Sequence, residues 1–214
     1  MKNVVARVAV GTALGLFGCL GPSSVKAGTI IDDWASVKAE AAPELKPVTI
    51  DPKTTAVLVM DLVKGSCNNE RRPRCVASIP ALAKFLNDAR AKDVTIINTV
   101  AGTGTVADVL PEVAPKAGEA VLTGTVADKF IRTDLEKMLK DKGITTVITV
   151  GTAAHGAVLY TSSDAAFKGF KVIVPVDGAS SENLYAEQAV AWLLARAPGV
   201  SQQTTLTKFD MIKF

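Results

Sequence analysis

The sequence predicts an α/β fold, a mostly parallel sheet of about six strands with helices on both faces. Three observations predict it. Apolar runs such as Ala56-Val-Leu-Val-Met60 lack the alternation of a half-exposed strand and read as strands buried on both faces. Helical patterns separate these runs along the chain, and such alternation makes a parallel sheet. Apolar residues form 48% of the chain but aromatics only 5%, so the core is aliphatic. At 214 residues the chain is long enough for one domain with a substantial core.

The first 27 residues read as a secretory signal. Lys2 and Arg7 give a positive start, Val8 to Leu20 a short apolar run, and Val25-Lys26-Ala27 a small-residue ending. Cleavage is expected after Ala27. Lipidation at Cys19 is the less favoured alternative, because Phe17 is bulky for that motif. The chain has 24 basic and 21 acidic residues, and Lys2, Arg7 and Lys26 account for the excess. The remainder is balanced and carries no basic footprint for nucleic acid. Removal of the apolar run also leaves no membrane segment.

Residues 28–54 read as an N-terminal arm, with a short amphipathic helix over Ile30–Glu40 and then Pro43, Pro47 and Pro52 as breakers. The domain proper is expected over 55–214. Its first strand, 56–60, ends at Asp61. Cys67 and Cys75 flank a polar, turn-prone stretch that a disulfide would close in an oxidising compartment; two free thiols are the alternative. No C-x-x-C redox motif is present.

A helix is expected over 78–91, capped by Ser78, with Pro80 in its first turn and Ile79, Leu82, Phe85, Leu86 and Ala89 on one face. Strands follow at 94–98 and 120–122, a helix over 130–141 stopped by Gly143, and a strand at 145–150. A helix over 156–168, a strand at 171–174, a helix over 182–196 and an edge strand at 204–207 complete the pattern. Thr-Gly-Thr-Val-Ala-Asp occurs at 103–108 and 123–128. No Gly-Lys-Ser/Thr follows either copy, so neither is a phosphate loop.

Ligands in such folds bind beyond the carboxyl ends of the strands. Asp61, Thr123-Gly124 and the segment from Gly151 lie at those ends.

The segment Val147-Ile-Thr-Val-Gly-Thr-Ala-Ala-His-Gly-Ala-Val-Leu-Tyr160, running on to Val172–Ser181, together with the Asp61 strand and Asp128-Lys-Phe130 through Gly143, resembles the isochorismatase-like cysteine hydrolases over residues 54–200. The resemblance implies a three-layer α/β/α sandwich with a doubly wound sheet. It also implies an Asp, a Lys and a nucleophilic Cys at three strand ends, a small-molecule substrate and a homo-oligomer.

Asp61 matches the Asp. The spacing to Phe130 puts Gly124 at the Lys position, with Lys129 the nearest alternative at the start of the next helix. Ala157 stands at the Cys position. The oxyanion donors would be the N–H groups of Ala153 and Ala157, with a cis bond at Thr152–Ala153.

The family's covalent mechanism is therefore not available at Ala157. Thr161, Ser162 and Ser163 have no base placed beside them by sequence. His155, the single histidine, stands in the loop at the cleft mouth, where a neutral imidazole could work with Asp61. One histidine without an Asp-x-His pattern argues against a metal site, and no cofactor is implied. Some isochorismatases without the Cys protonate a vinyl ether with the Asp. Asp61-based acid–base hydrolysis is one expectation, and a degenerate member that binds a small ligand or protein partner is the other.

Overall fold

A computed structural model describes residues 28–214. The signal and lipidation expectations lie outside the described residues. Two compact units are present, one ending at Glu40 and the other spanning Ala41–Phe214.

The described part of the first unit is a run of turns, not the helix expected over 30–40. The Asp32 carboxylate accepts from the Thr29 N–H and hydroxyl, each at 2.9 Å, and so closes one local turn. Aspartates that bond nearby backbone compete with helix in this way. So short a helix is also marginal in water.

The second unit begins with β1 (Val48–Thr49), β2 (Thr55–Met60), α1 (Pro73–Arg90), β3 (Thr95–Ala101) and β4 (Ala120–Thr125). Next come α2 (Leu135–Asp141), β5 (Thr146–Thr152), α3 (Leu159–Phe167), β6 (Lys171–Pro175) and β7 (Ala179–Ser180). The chain finishes with α4 (Leu184–Arg196), β8 (Thr204–Thr207) and β9 (Ile212–Lys213). The main sheet is parallel, in the order β4-β3-β2-β5-β6-β8, and β7 pairs with the end of β5. The fold is therefore the expected one with a seventh short strand. β1 and β9 form a separate parallel pair that tethers the proline-rich entry segment.

All six residues of β2 are buried. Its even-numbered side chains join the apolar layer under α2, α3 and α4, and Val57 and Val59 join the layer under α1. This two-sided burial explains the uninterrupted apolar run. Phe85 of α1 is 4.8 Å from Phe209 and 5.5 Å from Phe214, so the C-terminal segment seals the α1 layer.

Several boundaries differ from expectation, most of all at the helix starts. α1 starts five residues before Ser78, with Pro73 in its first turn, and the Ser78 hydroxyl bonds Cys75 O within the helix at 2.8 Å. α3 is preceded by a wider π turn over Ala154–Val158. α2 starts at Leu135, not 130. The stretch before it is held as a turn by Thr133, which donates to Lys129 O at 2.5 Å, and by Arg132 at φ +57°.

Gly151 sets the closest strand contact. Its φ is +133°, and a Cβ there would lie 2.1 Å from Met60 O. Only glycine lets β5 run beside the end of β2 at that point.

Candidate active site

Asp61 follows the last residue of β2 and adopts φ +56°, an uncommon conformation for a residue with a side chain. Its N–H donates to Thr99 O at 3.1 Å. Its Oδ1 accepts from the Thr99 hydroxyl at 3.1 Å, and its Oδ2 accepts from Lys129 Nζ at 2.6 Å. Thr99 lies on β3 opposite Met60, so sheet register brings it to the carboxylate.

The lysine space beside Asp61 is filled by Lys129. The group beside Asp61 is thus the alternative, Lys129, and not the spacing-matched Gly124. Gly124 lies within β4 at φ +67° and is exposed. Lys129 precedes α2 instead of opening it, which frees its side chain to turn inward. The ammonium donates to Asp61 Oδ2, to the Thr125 hydroxyl at 3.0 Å and to Val126 O at 2.8 Å. Those three bonds use all its protons.

Thr161 fixes the lysine backbone. Its hydroxyl accepts from Lys129 N–H at 3.1 Å and lies 3.4 Å from Ala127 O. This threonine is fully buried on α3, one turn beyond Ala157. It is a brace, not an accessible hydroxyl. Ser162 is likewise buried and paired with Thr149 at 2.8 Å.

Lys129 is completely buried, whereas the Asp61 side chain keeps 11% exposure. The carboxylate is thus the member that faces outward, with the ammonium behind it. Burial pushes the Asp61 carboxyl above the ordinary range, against the pull of Lys129, Thr99 and the Ala101 backbone. Burial likewise pushes the Lys129 ammonium down, against the charge of Asp61. The cause in each case is desolvation of the charged form. Both shifts bring the neutral pair nearer in energy to the ion pair, which eases proton exchange across the 2.6 Å contact.

The third wall begins where β5 ends. The Thr152–Ala153 peptide is cis, as the resemblance implied. Thr152 donates its hydroxyl to Ser180 O at 3.0 Å, tying β5 to β7. Ala157 sits buried in the π turn and contributes only a methyl group.

His155 is 49% exposed. Its Nδ1 lies 2.8 Å from the Ser181 hydroxyl and 3.9 Å from Glu182 Oε2. The imidazole is engaged by this neighbouring loop and not by Asp61. Glu182 also pairs with the buried Arg72. Burial pushes the Glu182 carboxyl up, but Arg72 and the nearby His155 hold it below its ordinary value overall.

Cys67 and Cys75 form a disulfide. Among the described residues no three His, Cys, Asp or Glu side chains gather where they could hold a metal ion, and no helix is long and apolar enough to cross a membrane.

A parallel sheet covered on both faces, with a carboxylate–lysine pair and a cis-peptide turn at its strand ends, is the frame of an isochorismatase-type hydrolase. The Isochorismatase domain family matches residues 55–206, and the chain belongs to that family. It is 31% identical over 118 residues to the secreted isochorismatase effector Isc1 of Verticillium dahliae, covering 50% of this chain and 62% of that one. It is 39% identical over 80 residues to N-carbamoylsarcosine amidase of an Arthrobacter species, covering 34% of this chain and 30% of the other. The matches thus span less than two thirds of these relatives' own length.

Among solved structures, an isochorismatase-like hydrolase from Alkaliphilus metalliredigens is 25% identical with a TM-score of 0.66, covering 75% of this chain and 96% of that chain. An isochorismatase family protein from Desulfovibrio vulgaris has the same fold at a TM-score of 0.67 and 17% identity, covering 74% and 95%.

Proposed function

We propose that this chain is an exported hydrolase of small molecules that works by Asp61-based acid–base chemistry, without an acyl-enzyme. The observation that carries the reading is the pairing of Asp61 with buried Lys129, and the resemblance puts Ala157 at the nucleophile position of the neighbouring turn. Burial beside Lys129 raises the Asp61 carboxyl, which favours it as a proton donor.

The reaction class that fits is hydrolysis of a vinyl ether. Asp61 gives its proton to the enol carbon, leaving an oxocarbenium ion. Water adds to that ion and returns a proton to the carboxylate, directly or through His155. The hemiketal then collapses to a ketone and an alcohol. Lys129, fully buried behind the carboxylate, holds Asp61 in place through its ammonium and touches no substrate. The substrate is a small molecule by the habit of the family. Export is supported by the secreted Verticillium relative and by the signal-like first 27 residues.

The second reading is binding without turnover. It is favoured by Ala157 and by an ammonium whose three protons are all engaged. Purified mature protein, incubated with isochorismate and with a panel of amides and esters, separates the two. The first reading expects turnover that disappears in Asp61→Ala. A melting-temperature rise with ligand and no product would support the second.

A further inference from the structure

Arg72 lies inside the disulfide-closed segment Cys67–Cys75 and is only 6% exposed. Loop bonds hold both ends of its backbone: its N–H donates to Asn68 O at 2.8 Å, and its C=O accepts from Cys75 N–H at 3.0 Å. Its guanidinium points two ways. Nη1 donates to Ser66 O at 3.0 Å, and Nη2 binds Glu182. Ser66 in turn donates its hydroxyl to Asp61 O, while Glu182 faces His155 Nδ1. A neighbouring bond runs parallel: Arg74 pairs with Glu187 at 2.8 Å, and Glu187 accepts the Ser181 N–H at 3.0 Å. One loop therefore touches the turn that carries Asp61 and the loop that carries Ser181 and Glu182.

We propose that the Cys67–Cys75 loop, with its flanking Ser66, is the positioning element of the site: it sets the His155 ring through Arg72 and Glu182 while Ser66 holds the Asp61 turn. The inference deepens the acid–base reading and rests on it for the use of His155. Arg72, Glu182 and Ser66 are positioning residues. A carboxylate 3.9 Å from Nδ1 and a hydroxyl at 2.8 Å favour an N–H on Nδ1, which leaves the lone pair on Nε2. That is the tautomer of a base acting through Nε2. The disulfide reduces the freedom of the loop, so that an arginine fork on a short segment retains a fixed direction.

His155 is the only histidine, so a 15N-labelled protein made without a histidine tag gives a single pair of imidazole nitrogen signals. Measured on the neutral ring in mildly alkaline buffer, the wild type is expected to favour Nδ1–H. Glu182→Gln and Arg72→Met are expected to move it toward Nε2–H. Cys67→Ala/Cys75→Ala should move it the same way while circular dichroism stays native. If that double variant fails to fold, Arg72→Met alone carries the comparison. A wild-type ring dominated by Nε2–H, or nitrogen shifts unchanged in both Glu182→Gln and Arg72→Met, would overturn the proposal. Shifts that move as expected, with turnover intact in His155→Ala, would sustain the positioning and sink the acid–base use of His155.

Discussion

Lys129 Nζ donates to Asp61 Oδ2 at 2.6 Å, although the two stand 68 residues apart in the chain. Removing one member of a buried pair strands the other, at a cost of about 3–5 kcal/mol. Asp61→Ala and Lys129→Ala should each lose about that much in urea unfolding. The double variant Asp61→Ala/Lys129→Ala should lose far less than the sum of the two. Additive losses would mean that the two groups do not depend on each other.

The pair also gives stability a pH dependence with a defined sign. Asp61 is raised from 3.8 in the fold. Its contribution is therefore fully present below 3.8 and is lost as pH rises through the raised value. Lys129 is lowered from 10.5, so its contribution is regained as pH rises from the lowered value to 10.5. Relative to the uncharged pair Asp61→Asn/Lys129→Met, the wild type should be weakest between these two windows. Unfolding of both proteins from acid to alkaline pH checks this, and a difference constant with pH would contradict it.

Thr161 accepts the buried Lys129 N–H at 3.1 Å. Thr161→Val keeps the shape but leaves that donor unpaired, at a cost of about 1–3 kcal/mol. Chemical denaturation should show the loss, and hydrogen exchange should quicken at the Lys129 amide while amides of β2 are unaffected. Thr161→Ser should retain most of the stability.

Each residue leaves a different kind of signal in the sequence. Burial on both faces leaves β2 apolar from Ala56 to Met60, and Asp61 stands out as the polar residue that ends the run. The apolar spacing of Leu135 and Leu139 says where a helix packs, not where it begins, so α2 opens later than that spacing predicts. The turn before it is made by Thr133, Arg132 and the inward pull on Lys129. The partners Thr99, Thr125 and Thr161 left no pattern, since a threonine in a strand or helix is ordinary. Only register and layer packing bring them to one lysine and one carboxylate. β7 has two residues, too few for any periodicity.

Ala157→Cys puts a thiol into the turn that leads into α3, where N–H groups favour a thiolate. Its alkylation by iodoacetamide, followed against pH, should report a thiol more acidic than the ordinary value of about 8.5. With Asp61 and Lys129 already paired, that variant is also expected to gain slow hydrolysis of small amides. A thiol of ordinary acidity and no amide turnover would mean that the turn no longer supports the family's nucleophile.

Under the proposed acid–base reading, water and not a protein nucleophile completes the hydrolysis that Asp61 starts. The direct test follows isochorismate cleavage by the mature protein in 18O-water, with the intact protein mass recorded during turnover. The expected result is 18O in the ketone, trapped by reduction before its carbonyl exchanges with solvent, no added mass on the protein, and a rate reduced by about 100-fold or more in Asp61→Asn. An adduct trapped on the protein, or turnover undiminished in Asp61→Asn, would contradict it.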